Sequence, residues 1–228
     1  MMLSTQLKQD AEQFIDEIYG DDFIQGLINE DISHASLIHY LQADALYLEE
    51  FANIYAMLIS KTTSKEMMEY LLEEMRFILG GEVEAHEILA RAVGRPYAEI
   101  IEDGEWYPSA DHYIKHMYYN AYAKENIAFT LSAMAPCPYI YQKLAEKAMA
   151  QNVFQENHQY RGWFEFYSGN IDETADVMFK AIDKEAGKMN DYEIGLLRKN
   201  FRESAEHERR FFNMAMTREH WAEVDMNV

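Results

Sequence analysis

Residues 36–61 read SLIHYLQADALYLEEFANIYAMLISK. Apolar and aromatic side chains fall at Leu37, Leu41, Leu48, Phe51, Tyr55 and Leu58, and Asp44 occupies the place between Leu41 and Leu48. The steps alternate between four and three residues, so these positions share one face of an α-helix and predict a buried stripe. Asp44 is the exception on that stripe. A carboxylate in an apolar seam costs roughly several kcal/mol unless it is paired or hydrogen-bonded. Tyr47 and Phe51 lie about one and two turns further on and share its face.

The same spacing, followed outward, predicts helices over residues 5–19, 21–29, 36–61, 64–93, 110–122, 124–150, 154–167, 171–186 and 191–216. Ser64 is suited to cap the third of the long ones, Gly80-Gly81 to bend or split it, and Gly94 followed by Pro96 to stop it. Residues 94–108 read as a loop with room for one helical turn rather than as a domain boundary. No sustained period-two pattern marks a strand, and 10 Gly and 4 Pro leave little turn chemistry for many short strands. The expectation is an all-α, multi-helix bundle forming one domain over residues 1–228.

Twenty basic residues against 40 acidic ones give a formal charge of −20. No Lys/Arg cluster supplies the basic footprint of a nucleic-acid binder, and an anionic membrane is disfavoured for the same reason. The longest uncharged run, Asn126 to Gln142, is too short for a membrane span and holds two prolines. Residues 1–15 are polar and lack the apolar stretch of a signal peptide. One cysteine excludes an intrachain disulfide and fits a reducing compartment, so the expected location is cytoplasmic.

A second misplaced acid lies near the end of the chain. The stripe Leu197, Phe201, Ser204, Phe211, Ala215 is completed by Glu208. Helix bundles build sites from such inward-facing polar residues, although an acid at a stripe edge, or one paired with a buried partner, is the simpler alternative. The sole cysteine sits in Pro136-Cys137-Pro138, where two prolines inside a predicted helix withdraw hydrogen bonds from the carbonyls of Ser132 and Met134. Such disruption can mark a functional position. An ionised cysteine is a strong nucleophile, whereas an un-ionised one in an apolar run is a small buried hydrophobe, and spacing does not decide between them.

Tyr113, Tyr118, Tyr141, Tyr160 and Tyr167 stand at core-type positions, and Tyr141 is one turn beyond Cys137. A cavity lined by Tyr, Phe and two acids suits a flat, nitrogen-rich ring. For metals the pattern is poor. The chain has no Glu-x-x-His, and His112-x-x-x-His116 lacks the glutamate of the metalloprotease motif. No metal site is expected, and no Gly-rich phosphate loop is present.

The segments Tyr40 to Ala52, Tyr113 to Tyr118, Ala135 to Tyr141, Trp163 to Ser168 and Asn200 to Phe212 resemble, in order, the signature blocks of the TenA family. That resemblance spans nearly the whole chain. It implies a haem-oxygenase-like helical fold and a thiaminase II, or aminopyrimidine aminohydrolase, activity. The implied reaction converts 4-amino-5-aminomethyl-2-methylpyrimidine to its hydroxymethyl counterpart in thiamin salvage, and family members also cleave thiamin. Cys137 would be the nucleophile, Glu208 the general acid/base and Asp44 the group holding the aminopyrimidine. Tyr47, Tyr113, Tyr141 and Tyr167 would supply hydroxyls, and Phe51 and Phe211 would sandwich the ring. The resemblance further implies the cysteine-containing branch of the family, a homotetramer, and no metal or organic cofactor.

The chain departs from the family pattern at Ala43, where many members have Gln before the aspartate, and at Pro138, where an aromatic residue is expected. It also has one residue more between Tyr118 and Cys137 than a typical relative. These differences bear on pocket shape and substrate preference more than on the chemistry. Two other readings remain: a metal-dependent oxidase or cofactor-biosynthesis enzyme on the same fold, and a non-catalytic regulatory or interaction protein.

Overall fold

A computed structural model describes residues 2–169 and 172–222. Its elements in chain order are α1 (Leu3–Gly20), α2 (Asp22–Ile28), α3 (His34–Ile59), α4 (Lys65–Arg76), a π-helical turn (Phe77–Gly81), α5 (Val83–Val93), α6 (Tyr97–Ile101), α7 (Pro108–Ala123), α8 (Ile127–Met134), α9 (Pro136–Ala150), α10 (Arg161–Gly169), α11 (Asp172–Ala186) and α12 (Asp191–Thr217). Among the described residues there is no strand, so the all-α bundle expectation holds.

The bundle is organised on its two longest helices. α3 packs on α4, α5, α6, α7 and α12, and α12 packs on α1, α2, α3, α7, α8 and α9. Each is therefore surrounded, and the stripes read from their sequences are buried along their length. Leu37, Leu41, Leu58, Leu197 and Phe201 are fully buried, and the acids Asp44 and Glu208 are 4% and 2% exposed.

Local chemistry sets the helix limits. Ser33, Ser64 and Asn126 each cap a helix by accepting from a backbone N–H in its first turn. Asn190 and Glu193 form a reciprocal capping box at the start of α12. Gly94 ends α5 at φ 77°, a left-handed conformation that costs a glycine little. The loop that follows contains the anticipated helical turn, α6.

The structure corrects two expectations. The helix predicted over 124–150 is two helices, broken at Ala135, with Pro136 in the first position of α9 and Pro138 two residues later. Both prolines stand in a first turn, where backbone N–H groups have no helical partner to lose. The disruption expected around Cys137 is thus a full break at Ala135, with the prolines starting the second helix instead of kinking a continuous one. The helix predicted over 154–167 begins at Arg161. Its first part is a set of turns held by His158 on the Ile28 carbonyl and by Phe154 packed on Phe164, so its aromatic spacing reflected a cluster and not a helical face. The helix predicted over 64–93 is split as expected at Gly80-Gly81, by the π-helical turn Phe77–Gly81. The predicted helix start at residue 171 lies outside the described residues.

Removing the capping box tests how far α12 depends on its first turn. Asn190→Ala is expected to lower stability by about 1 kcal/mol, read as a lower urea midpoint at unchanged m-value.

Candidate active site

Asp44 projects from the middle of α3 and meets His86 of α5, whose Nε2 lies 2.7 Å from its Oδ2. Both side chains are almost fully buried. Burial pulls the His86 pKa down, but the hydrogen bond and the charges of Asp44 and Glu82 outweigh it, so the net shift is upward. The charge in the α3 seam is thereby paired, as its burial demands. Glu82 lies one turn before His86, at the exit of the π-helical turn, and accepts a 2.9 Å hydrogen bond from the Tyr167 hydroxyl. Burial, with Asp44 close by, pushes Glu82 up to about 7.

Glu208 enters the same region from α12 and accepts a 2.7 Å hydrogen bond from the Tyr113 hydroxyl. Burial pushes its pKa up to about 8, with the charges of Asp44 and Glu82 adding to the rise. Cys137, in the first turn of α9, lies against Glu208 and Tyr47. Burial, Glu208 and Glu82 together hold its thiol well above the ordinary cysteine range. The resting pair is therefore a protonated thiol beside a carboxyl that is protonated at neutral pH. Such a pair loses its first proton as a unit.

Around these groups the aromatic side chains form a continuous shell. Tyr47 stacks at 5.3–5.6 Å from Phe51, Tyr113 and Phe211. Tyr141 lies 4.9 Å from Tyr167, and its hydroxyl shares a 2.8 Å hydrogen bond with Tyr40. The buried Tyr47 hydroxyl has no hydrogen-bond partner. A cavity of about 40 Å³, room for a few waters, is walled by Phe51, Glu82, Cys137, Pro138, Tyr141 and Tyr167 among others. Of the residues singled out from sequence, Phe51, Cys137, Tyr141 and Tyr167 line it, whereas Asp44, Tyr47, Tyr113, Glu208 and Phe211 form the layer behind it. Pro138, the departure beside the cysteine, is part of the wall.

Sequence reasoning missed Glu82, His86 and Tyr40. Tyr40 is one turn before Asp44 on the same stripe and was within reach. Glu82 and His86 follow the π-helical turn, whose extra residue shifts the helical phase and hides them from a 3-and-4 reading. The His112/His116 pair packs its rings around His207 of α12, on the outer side of Tyr113. Among the described residues no three His, Cys, Asp or Glu side chains are placed to hold a metal ion. No helix there is long and apolar enough to cross a membrane.

Residues 8–218 match the TENA/THI-4/PQQC family. A protein of Staphylococcus epidermidis named aminopyrimidine aminohydrolase is 46% identical over 221 residues, 97% of this chain and 96% of its own. One of the same name from Staphylococcus aureus is 47% identical over the same shares. Among solved structures, a TenA homologue from P. horikoshii OT3 superposes with a TM-score of 0.81 at 24% identity, covering 95% of this chain and 99% of that one. A domain with a heme oxygenase-like fold from Shewanella denitrificans gives 0.69 at 14% identity, covering 94% and 92%. At those identities the structural likenesses concern the fold alone.

The raised carboxyls tie stability to pH. The folded protein retains protons on Glu82 and Glu208 that the unfolded chain releases near 4.5, so their contribution is complete at low pH and is lost as pH rises through about 7 and about 8. His207 and His39, pushed down mainly by burial to about 3 and about 4, act in the opposite sense only below 6.5. Thermal melts between pH 6.5 and 8 should show a falling Tm. Glu208→Gln should flatten that slope by up to about 1.4 kcal/mol per pH unit.

Proposed function

The chain belongs to the TENA/THI-4/PQQC family, and from that premise we propose that it is an aminopyrimidine aminohydrolase that uses Cys137 as its nucleophile. It is a hydrolase acting at a C–N bond, like the Staphylococcus proteins it matches along nearly its full length. The observation that carries the cysteine mechanism is the contact between the Cys137 thiol and the buried, proton-holding Glu208 at the wall of an aromatic cavity. The substrate in this reading is 4-amino-5-aminomethyl-2-methylpyrimidine, with thiamin as a second one, and the product is the hydroxymethyl pyrimidine.

The order of events follows from the proton positions. The pair first releases the Glu208 proton to solvent; the Glu208 carboxylate then takes the thiol proton when the substrate ring is in place, and the thiolate adds to the electron-poor ring. A C–S bond forms, the ring loses aromaticity, and Glu208 returns the proton to a ring nitrogen. The C–N bond at the 5-methylene then breaks, its electron pair leaving with nitrogen. Water adds to the methylene, forming the C–O bond and releasing a proton. The C–S bond finally breaks, the ring nitrogen returns its proton through Glu208 to the sulfur, and the aromatic ring and the thiol are restored. Asp44, held in place by His86, accepts a hydrogen bond from the exocyclic amino group. Tyr47, whose hydroxyl lies beside Cys137 and Tyr113, is the residue that would bond the substrate ring, and Phe51 and Phe211, both in ring contact with Tyr47, would sandwich that ring.

Every step uses side chains of this chain, and the reading takes no metal or organic cofactor. It also places the protein in the cytoplasm, in the cysteine-containing branch of the family, and in a homotetramer, each on the resemblance of the sequence blocks.

Ammonia release from the aminomethyl pyrimidine is the direct assay. Cys137→Ala is expected to lower kcat by about 10³-fold or more while pyrimidine binding by calorimetry stays near wild type; near-normal turnover would remove Cys137 from the chemistry. Asp44→Asn should raise KM by roughly 10- to 100-fold, the range of a hydrogen bond to a charged group. Because the Cys137–Glu208 pair must first lose one proton, kcat/KM should climb with pH to a limb near 8. Glu208→Gln should abolish that limb.

A further inference from the structure

The active-site cavity has a second carboxyl on its wall besides Glu82. Glu74, from the last turns of α4, lines the Cys137 cavity together with Phe77, Ile78 and Thr174. Among the described residues Glu74 alone of that wall also lines a larger open groove. That groove, of about 500 Å³, also holds Tyr70, Glu73, Ile127 and Lys180. Glu74 thus stands where the cavity meets solvent, on the side away from Asp44 and Glu208.

Its chemistry is unusual for a mouth. Both carboxyl oxygens accept from the Thr174 hydroxyl, at 3.2 and 3.1 Å, and Tyr70 anchors Thr174 through a 3.0 Å hydrogen bond to its carbonyl. Among the described residues no Lys, Arg or His pairs with it, and its nearest charged neighbour is Glu73. Burial pushes Glu74 up to about 7, with Glu73 adding to the rise. A half-buried carboxyl with a fixed orientation and no cation of its own is a group whose partner comes with a ligand. Lys180, in the same groove, is not that partner. Asp44, His86 and Glu208, by contrast, already hold one another or a tyrosine.

Direction along the cavity follows from the same lining. Asp44, Tyr47 and Glu208, which hold the ring in the reading above, are not in the lining that Glu74 shares with Cys137, so a ring held on them would carry its 5-substituent past Cys137 toward Glu74. We propose that Glu74 is a specificity-determining residue that receives the cationic 5-substituent of the substrate, the ammonium of the aminomethyl group, and so favours charged over neutral leaving groups. This inference rests on the aminohydrolase reading above. A primary ammonium within reach of an ionised Glu74 is held by a charge-assisted hydrogen bond that a neutral amide does not form. The π-helical turn forms the adjacent wall through Phe77 and Ile78, so it sets how closely the substituent approaches Glu74.

The test compares two substrates of the purified full chain: the aminomethyl pyrimidine, a cation at neutral pH, and its neutral N-formyl amide. Glu74→Gln keeps the shape of the side chain and an oxygen for the Thr174 hydroxyl, and removes only the charge. KM for the ammonium substrate should rise about 10-fold or more with the formamide within about twofold of wild type, so that the ratio of the two KM values inverts toward the neutral one. An equal change for both substrates, or no change for either, overturns the assignment. Glu74→Asp, which keeps the charge, is the second variant should Glu74→Gln fail to fold. It should keep the wild-type preference for the ammonium substrate over the formamide, and loss of that preference although the charge is kept overturns the assignment. Failure of the wild type to hydrolyse either substrate would instead strike the parent reading, since the Glu74 comparison presupposes turnover.

Discussion

The interaction on which the rest depends is the placing of two carboxyl groups inside an apolar core. Asp44 and Glu208 sit in the seams of α3 and α12, the two helices against which most of the others pack. Each acid in such a place is costly alone, and the fold answers the two in different ways. Asp44 is given His86, and so remains part of a charged pair. Glu208 is given only the Tyr113 hydroxyl and the Cys137 thiol, and responds by holding its proton. That asymmetry divides the labour of the site. In the proposed reaction one acid is a fixed polar contact for a ring, and the other is a proton carrier beside a sulfur atom.

Much of this was legible in the chain. The stripe through Leu37, Leu41, Asp44, Leu48 and Phe51 foretold a buried helix face with one polar intruder, and the α12 stripe foretold another at Glu208. Both were readable because regular helices preserve the 3-and-4 spacing over many turns. The cysteine was readable as a candidate only, because spacing does not report burial or neighbours. What stayed hidden lay where the spacing is interrupted. The π-helical turn at Phe77–Gly81 adds a residue and resets the phase, so Glu82 and His86 belong to no stripe that begins in α4. The prolines around Cys137 were legible as a disruption, but spacing placed them inside one helix because a kink and a break followed by a fresh start look alike in sequence.

The prolines matter beyond their own helix. By starting α9 at Pro136, the chain points the second residue of a fresh helix at the cavity, with Tyr141 following one turn later on the same face. The cysteine, the tyrosine and the wall residue Pro138 are then set by one local choice. The aromatic shell around them is packed tightly enough to leave a cavity for only a few waters, and so substrate binding and side-chain rearrangement belong to a single event.

A thiol whose proton is held by burial and by neighbouring carboxyls has a consequence outside catalysis. Peroxides and electrophiles react with the thiolate, and a cysteine that stays neutral offers them little to attack. Cysteine enzymes with a permanently ionised nucleophile pay for readiness with exposure to oxidative damage. On the proposed mechanism the sulfur becomes reactive only in the company of the substrate, which leaves an idle molecule chemically durable.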